Sequence, residues 1–166
     1  MNKASLAVAI LLSAVTYLVY TGVFDILEAM IAVTAGTLVA YVFKLELVSD
    51  AGKLTPRRML LGLYYLFKYF TVIEAKAHWG VVKVILSPSP LPTPAIVRVP
   101  FRVSSDYGVT FVANSITNTP GTIVVDLDQE RKVYYVHWLT PTDVSDEGAY
   151  REVSAEFEKY LKEVFG

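Results

Sequence analysis

The feature that most constrains this chain is a run of 21 consecutive uncharged residues, Ala4 to Phe24. As a helix rising 1.5 Å per residue it covers about 31 Å, which matches a hydrocarbon core of about 30 Å. A secretory signal with Lys3 as its basic end is the rival reading, but signals carry an apolar core of roughly 7 to 15 residues. A second apolar run, Ala29 to Phe43, follows almost at once, separated only by Asp25-Ile26-Leu27-Glu28. The two together predict a transmembrane helical hairpin with a tight acidic turn.

The second run has 15 residues and covers only about 23 Å. A span that short must thin the bilayer, snorkel Lys44 or be shielded by other helices. Shielding is the favoured reading, because small residues recur every four positions: Ser5, Ala9 and Ser13 on the first helix, Ala32, Gly36 and Ala40 on the second. Such stripes let backbones approach closely in lipid, although Ala and Gly are common in any membrane helix. Lys3 precedes the hairpin and Lys44, Lys53, Arg57 and Arg58 follow it, whereas the turn holds only acids. The positive-inside rule then places the N-terminus and the basic loop in the cytoplasm, with Asp25 and Glu28 outside.

Composition agrees with a membrane setting: 54% hydrophobic and 19% charged residues, with a mean hydropathy of +0.43, against roughly 25% charge in an average globular chain. A net charge of -1 excludes a strongly basic nucleic-acid binder. The absence of cysteine removes disulfides, thiol catalysis, iron–sulfur ligation and thiolate zinc sites, leaving two histidines for any metal. Asn2, Asn114, Asn118 and Gln129 are the whole amide inventory, a scarcity that points to a heat-adapted source. Residues 1–90 hold eight Lys/Arg and five Asp/Glu, residues 91–166 seven and eleven. The two halves therefore expect different solvents.

Residues 59–86 form a third apolar region. Met59 to Phe67 is lipid-like, but Lys68, Glu74, Lys76, His78 and Lys83 follow. At 100° per residue the lysines share one side with Glu74 and His78 beside them, opposite Tyr69, Phe70, Ile73, Ala77, Gly80, Val81 and Val84. This is an amphipathic helix. It either lies in the interface, the favoured reading, or crosses the membrane against partner subunits. At membrane depth Lys68, Glu74 and His78 would be candidates for an ion or proton path; on a solvated face, Glu74 and His78 form a modest i,i+4 pair.

Ser87 to Pro94 has proline at every second position and predicts an extended linker of about 25 Å. Beyond it, residues 96–103 alternate as a strand that Pro100 demotes to an edge or a bulge. Ser104-Ser105-Asp106 offers caps for a helix over Tyr107 to Ile116. Gly121 to Leu127 and Lys132 to Trp138 read as a hairpin turning at 128–131. The last 20 residues form an amphipathic helix capped by Ser145 or Thr142, with Tyr150, Val153, Phe157, Leu161 and Val164 on one stripe. The expected organisation is membrane helices in 1–86 (4–24, 29–43 and 59–86), a linker over 87–94, and a small strand-helix-strand-strand-helix α/β domain over 95–166. No nucleophile elbow, phosphate loop or dinucleotide fingerprint is present. Ser115, Asp126 and His137 supply the residue types of a triad and nothing of its geometry, so no catalytic residue and no cofactor is expected.

The order of features, and above all Ala113-Asn114-Ser115-Ile116-Thr117-Asn118-Thr119-Pro120-Gly121-Thr122 followed by Val124-Val125-Asp126 and Tyr135-Val136-His137-Trp138, resembles the E subunit of Mrp/Mnh-type multisubunit sodium/proton antiporters. The likeness spans nearly the whole chain; the N-terminal helices match only in pattern, and the proline density through Pro94 departs from it. The resemblance implies an accessory subunit of a hetero-oligomer in the cell membrane, whose ion-conducting chains are other polypeptides, with a cytoplasmic C-terminal domain. Similar subunits occur in archaeal membrane-bound hydrogenases and sulfur-reducing complexes. Thr119, Pro120, Gly121 and Thr122 are the expected docking turn, although a plain helix-to-strand turn uses the same residues.

Overall fold

The computed structural model describes residues 3–44, 47–48, 54–90 and 93–166; Lys53 and the Leu91-Pro92 pair of the linker lie outside the described residues. The chain divides into two compact units, Met1–Leu54 and Thr55–Gly166.

In the first unit α1 (Lys3–Thr21) is an apolar helix long enough to cross a membrane. It ends at Gly22, whose φ of 68° is the left-handed conformation glycine adopts without a Cβ penalty, and the Gly22 amide bonds the Leu18 carbonyl at 3.0 Å. Asp25 caps α2 (Ile26–Val42) by accepting the Glu28 amide at 2.8 Å. The turn is therefore residues 22–25, and Ile26, Leu27 and Glu28, expected in it, are already helical. With 17 residues α2 rises about 26 Å, longer than its uncharged run and still shorter than a hydrocarbon core of about 30 Å. The Tyr17 hydroxyl donates to Glu28 Oε2 at 2.8 Å, pinning the turn end of the hairpin.

In the second unit Thr55 accepts the Arg58 amide at 3.3 Å and Pro56 occupies the first helical position. This cap starts the third helix three residues before Met59. It runs as α3 (Pro56–Lys68), a π-helical turn (Tyr69–Ile73) and α4 (Glu74–Leu86). Grouped by sequence with the membrane helices, it packs instead into the C-terminal unit: Tyr65, Tyr69 and Ile73 are buried in the same core as Val97, Ile116, Val136 and Phe157. The reason is phase. A π turn inserts one extra residue into the helical repeat, which keeps Tyr65, Tyr69, Ile73 and Ala77 on one side and leaves Phe70, expected beside them, exposed.

After α4 the chain bends at Pro88 and Ser89, where the Ser89 amide is held by Ser87 Oγ at 3.1 Å. The described part of the proline tract is thus not the straight strut expected of alternating proline. It leads to β1 (Ala95–Pro100), α5 (Asp106–Asn118), β2 (Thr122–Asp128) and β3 (Val133–Trp138). The strands form one antiparallel sheet in the order β1-β3-β2, so Pro100 sits on an edge, where its missing N–H costs least, and ladder pairing ends there. β2 bulges at Val125, between Val124 and Asp126. The last helix comprises α6 (Asp146–Ala149), a second π turn (Tyr150–Ser154) and α7 (Ala155–Phe165), with Ser145 as its cap. Val153, Phe157 and Leu161 of its expected stripe are buried, whereas Tyr150 and Val164 are half-buried.

The core mixes aliphatic and aromatic side chains, and two of its buried polar groups, on Tyr134 and Glu158, are satisfied within the chain. The Tyr134 hydroxyl donates to the Val109 carbonyl at 2.8 Å. Glu158, 2% exposed, accepts the Arg102 amide on both oxygens at 3.2 and 3.0 Å. Burial raises the Glu158 carboxyl above its ordinary value, partly offset by that amide.

Candidate functional site

Where the third helix meets α5, the apolar packing gives way to a seam of hydroxyls. Ser115 Oγ donates to the Phe111 carbonyl at 2.8 Å, so at its 2.5 Å contact with Tyr65 the phenol is the donor. Desolvation pushes the Tyr65 phenol up to about 12, which keeps that proton in place. One turn on, the Tyr69 hydroxyl donates to the Ser115 carbonyl at 3.2 Å, accepts from Asn118 Nδ2 at 3.2 Å and lies 3.3 Å from Thr119 Oγ1. Two tyrosines four residues apart thus meet Ser115, Asn118 and Thr119 on the end of α5.

The same stretch closes α5 and starts β2. The Thr119 hydroxyl donates to the Ser115 carbonyl at 2.7 Å and the Thr122 hydroxyl to the Ile116 carbonyl at 2.8 Å, so both serve carbonyls of the last helical turn, beside the Tyr69 hydroxyl on Ser115 and the Thr119 amide on Ile116. Pro120 cannot continue the helix. Gly121 takes a φ of 98°, and the Thr122 amide returns to the Thr119 carbonyl at 3.3 Å, giving the proline-then-glycine pattern of a type II turn. Thr117 Oγ1 accepts the Val124 amide at 3.2 Å. Nearly every residue of Ser115 to Thr122 therefore has a bond to make inside this chain. The turn expected to dock elsewhere lines, with Ala77, Gly80 and Val81 of α4, a cleft of about 460 Å³ on the inner side of the third helix.

Lys68, Glu74 and His78 do not converge. Lys68 donates to Glu156 Oε1 at 2.7 Å and to the Tyr160 hydroxyl at 3.0 Å, both on α7; the Glu156 carboxylate beside it raises its affinity for the proton. Glu74 turns toward the seam with its side chain 13% exposed, and Glu74 Oε1 is buried with no hydrogen-bond partner. Its other oxygen lies 3.5 Å from Nδ1 of the exposed His78, a ring nitrogen that also contacts the Glu74 carbonyl at 2.8 Å. Among the described residues no group of three or more His, Asp and Glu is arranged to hold a metal. Ser115 is engaged by Tyr65, and His137 stands between Ile96 and Ile123 on the other face of the sheet from Val136, so the imagined triad is not assembled.

In the hairpin, Ser5 and Ala9 on α1 and Ala32, Gly36 and Ala40 on α2 are buried, and Ser13 is half-buried with Ala14 buried beside it. A Cβ at Gly36 would stand 3.0 Å from the Ile10 carbonyl oxygen and 3.1 Å from Ser13 Cβ. The small residues are thus used where α1 meets α2, and the outward faces carry Leu11, Val15, Val19, Met30 and Leu38.

Sequence reasoning passed over Tyr65, Tyr69, Ser115 and Asn118 as a set. The signal was present in two hydroxyl-bearing rings at i and i+4 on an otherwise apolar helix, and in Ser and Asn at i and i+3 on a neighbouring one.

Comparison with known proteins follows the same outline. A sodium/proton antiporter E subunit of Bacillus subtilis is 30% identical over 118 residues, 65% of this chain and 73% of that protein. An E1 subunit of the same kind from Staphylococcus aureus is 27% identical over 135 residues, 79% and 84% respectively. A chain in the structure of the membrane-bound sulfane sulfur reductase, an archaeal respiratory membrane complex, superimposes with a TM-score of 0.83 at 28% identity, covering 97% of this chain and 99% of that one. The family described as MNHE, Na+/H+ ion antiporter subunit, matches residues 10–164, and the chain belongs to that family.

Proposed function

We propose that this chain is an accessory, non-catalytic subunit that helps assemble a membrane complex coupling sodium and proton movement, either a dedicated antiporter or a respiratory complex carrying an antiporter-like module. The observation that carries this reading is the near end-to-end likeness in fold to a chain of an archaeal respiratory membrane complex. Two physical features support it. The hydroxyl seam and the Thr119–Thr122 turn bond within the chain, as a scaffold's would, and α2 is too short to be comfortable in lipid alone. The outward hairpin faces, rich in Leu, Val and Met, are what neighbouring membrane subunits and lipid would touch. Lys3, Lys44, Lys53, Arg57 and Arg58 favour a cytoplasmic C-terminal domain.

Replacing Gly36 with Leu tests this reading, because the added side chain has no room against Ile10 and Ser13. Loss of the intact complex from detergent extracts is expected; unchanged recovery and transport would refute it. A second reading, favoured by the partnerless Glu74 Oε1, makes Glu74 and His78 part of an ion or proton path, with Lys68 held apart by Glu156. Glu74→Gln separates the two. Normal assembly with lost transport selects the path, and normal transport rejects it.

A further inference from the structure

The third helix has two apolar stripes, and the domain uses only one. The inner stripe of Tyr65, Tyr69 and Ile73 is in the core. The outer stripe runs Met59, Leu63, Leu66 and Phe70, then Trp79, Val82 and Leu86, all between 36% and 75% exposed. Its steps are four, three and four residues up to Phe70, five across the π turn to the exposed Ala75, then four, three and four. Without the five-residue step the stripe would split into two faces roughly 100° apart; with it, one apolar edge extends for about 40 Å.

From this geometry we infer that the third helix lies in the plane of the membrane with this stripe on an anionic lipid surface. A crossing orientation is at odds with the packing, since the middle of the helix is built into the core of a domain bearing Lys68, Glu74 and Glu158, and crossing would drag that core into hydrocarbon. A protein neighbour fits less well than lipid. Close helix pairs in membranes use small notches, as α1 and α2 do at Gly36, whereas this stripe presents Met, Leu, Phe and Trp. Its borders are basic: Arg57 at the start, then Lys76 and Lys83 seven residues apart, with Lys83 Nζ 6.0 Å from the Trp79 ring. The one acid of α4, Glu74, turns inward. Large apolar residues flanked by Lys, with a Trp at the border, are the composition of an interfacial helix, and the basic border suits anionic headgroups.

The chain has no native cysteine, so Ala75→Cys gives a single site for a nitroxide label in the middle of the stripe, and Glu130→Cys on the β2–β3 turn gives an aqueous reference. The full chain, with the subunits that accompany it, is reconstituted into phosphatidylcholine–phosphatidylglycerol bilayers. Collision with dissolved oxygen and with a water-soluble nickel chelate is then read by electron paramagnetic resonance. The expected result is high oxygen and low nickel accessibility at position 75, with the reverse at 130. Nickel accessibility at 75 equal to that at 130 would overturn the inference by showing the stripe in water. An immobilised label shielded from both agents would overturn it by showing a protein neighbour. A second measurement, in Trp138→Phe so that Trp79 is the sole tryptophan, expects a blue-shifted emission quenched by lipids brominated near the headgroup; the absence of such quenching would also overturn the inference. Co-purification of other subunits is scored on the same samples, so failure here is distinguishable from failure of the subunit reading.

Discussion

Removing the Tyr65 hydroxyl tests whether the seam between the third helix and α5 is held by its hydrogen bonds or merely tolerated by the packing around it. Tyr65 is 3% exposed and its phenol donates to Ser115 Oγ, which in turn donates to the Phe111 carbonyl. Tyr65→Phe keeps the ring and removes one donor. Ser115 keeps its own outgoing bond, so the loss is about 1 kcal/mol, the net worth of a typical hydrogen bond. Ser115→Ala is expected to cost more, about 1 to 3 kcal/mol, because it leaves a buried phenol without its acceptor. The double variant removes both groups and should fall short of the sum of the singles by about 1 kcal/mol, the coupling expected of residues in contact. Native-state hydrogen exchange by mass spectrometry on the full chain reads these as local opening. A loss of 1 kcal/mol raises exchange of the amides in 65–73 and 115–119 about fivefold. Unchanged exchange in both singles, or strict additivity in the double, would refute the assignment of the seam's stability to these hydroxyls.

Three further outcomes are expected. Burial holds the Glu158 carboxyl above its ordinary value of 4.5, so its contribution to stability is fully present below the unfolded-state pKa and fades as pH rises through the higher folded-state value. The melting temperature of the full chain in detergent should carry that component, and Glu158→Gln, which keeps an acceptor for the Arg102 amide, should flatten it; an unaltered pH slope would count against the account. A methyl group at Gly148 would land on the Asp143 carboxyl group beside the Ser145 cap, so Gly148→Ala should destabilise the domain by about 1 to 3 kcal/mol, the usual range for overpacking, seen as a lowered denaturant midpoint. Gly121→Ala forces a Cβ into a φ of 98° and should cost about 1 kcal/mol or more, with faster exchange at Thr122 and Leu139, whose amides bond across that turn.

Much of the architecture was legible because its signals are local. Ser105 and Ser145 carry the side-chain oxygens that cap helices, Pro100 marks β1 as an edge or a bulge, and period-two alternation marks the strands. The third helix was only half legible. Its two apolar sides look alike in sequence, and nothing local says which will find protein, because that depends on α5 and α7 arriving from more than 40 residues away. The π turn hid the answer further. Read at a constant 100° per residue, Phe70 joins the inner face and Lys68 joins a solvated one, whereas the extra residue at 69–73 exposes Phe70 and Lys68 reaches Glu156 and Tyr160. The Thr119–Thr122 turn was visible as a turn, but that its hydroxyls serve the end of α5 follows only from where the neighbouring carbonyls lie.

The way the third helix joins the C-terminal unit changes what the proline tract is for. Since both ends of residues 87–94 are anchored in one body, the tract closes a loop and transmits no leverage between domains. Its length should accordingly be a weak variable: doubling a closed loop costs only about 0.6 kcal/mol of chain entropy, and insertions there should leave the helix seated where Tyr65 and Tyr69 hold it.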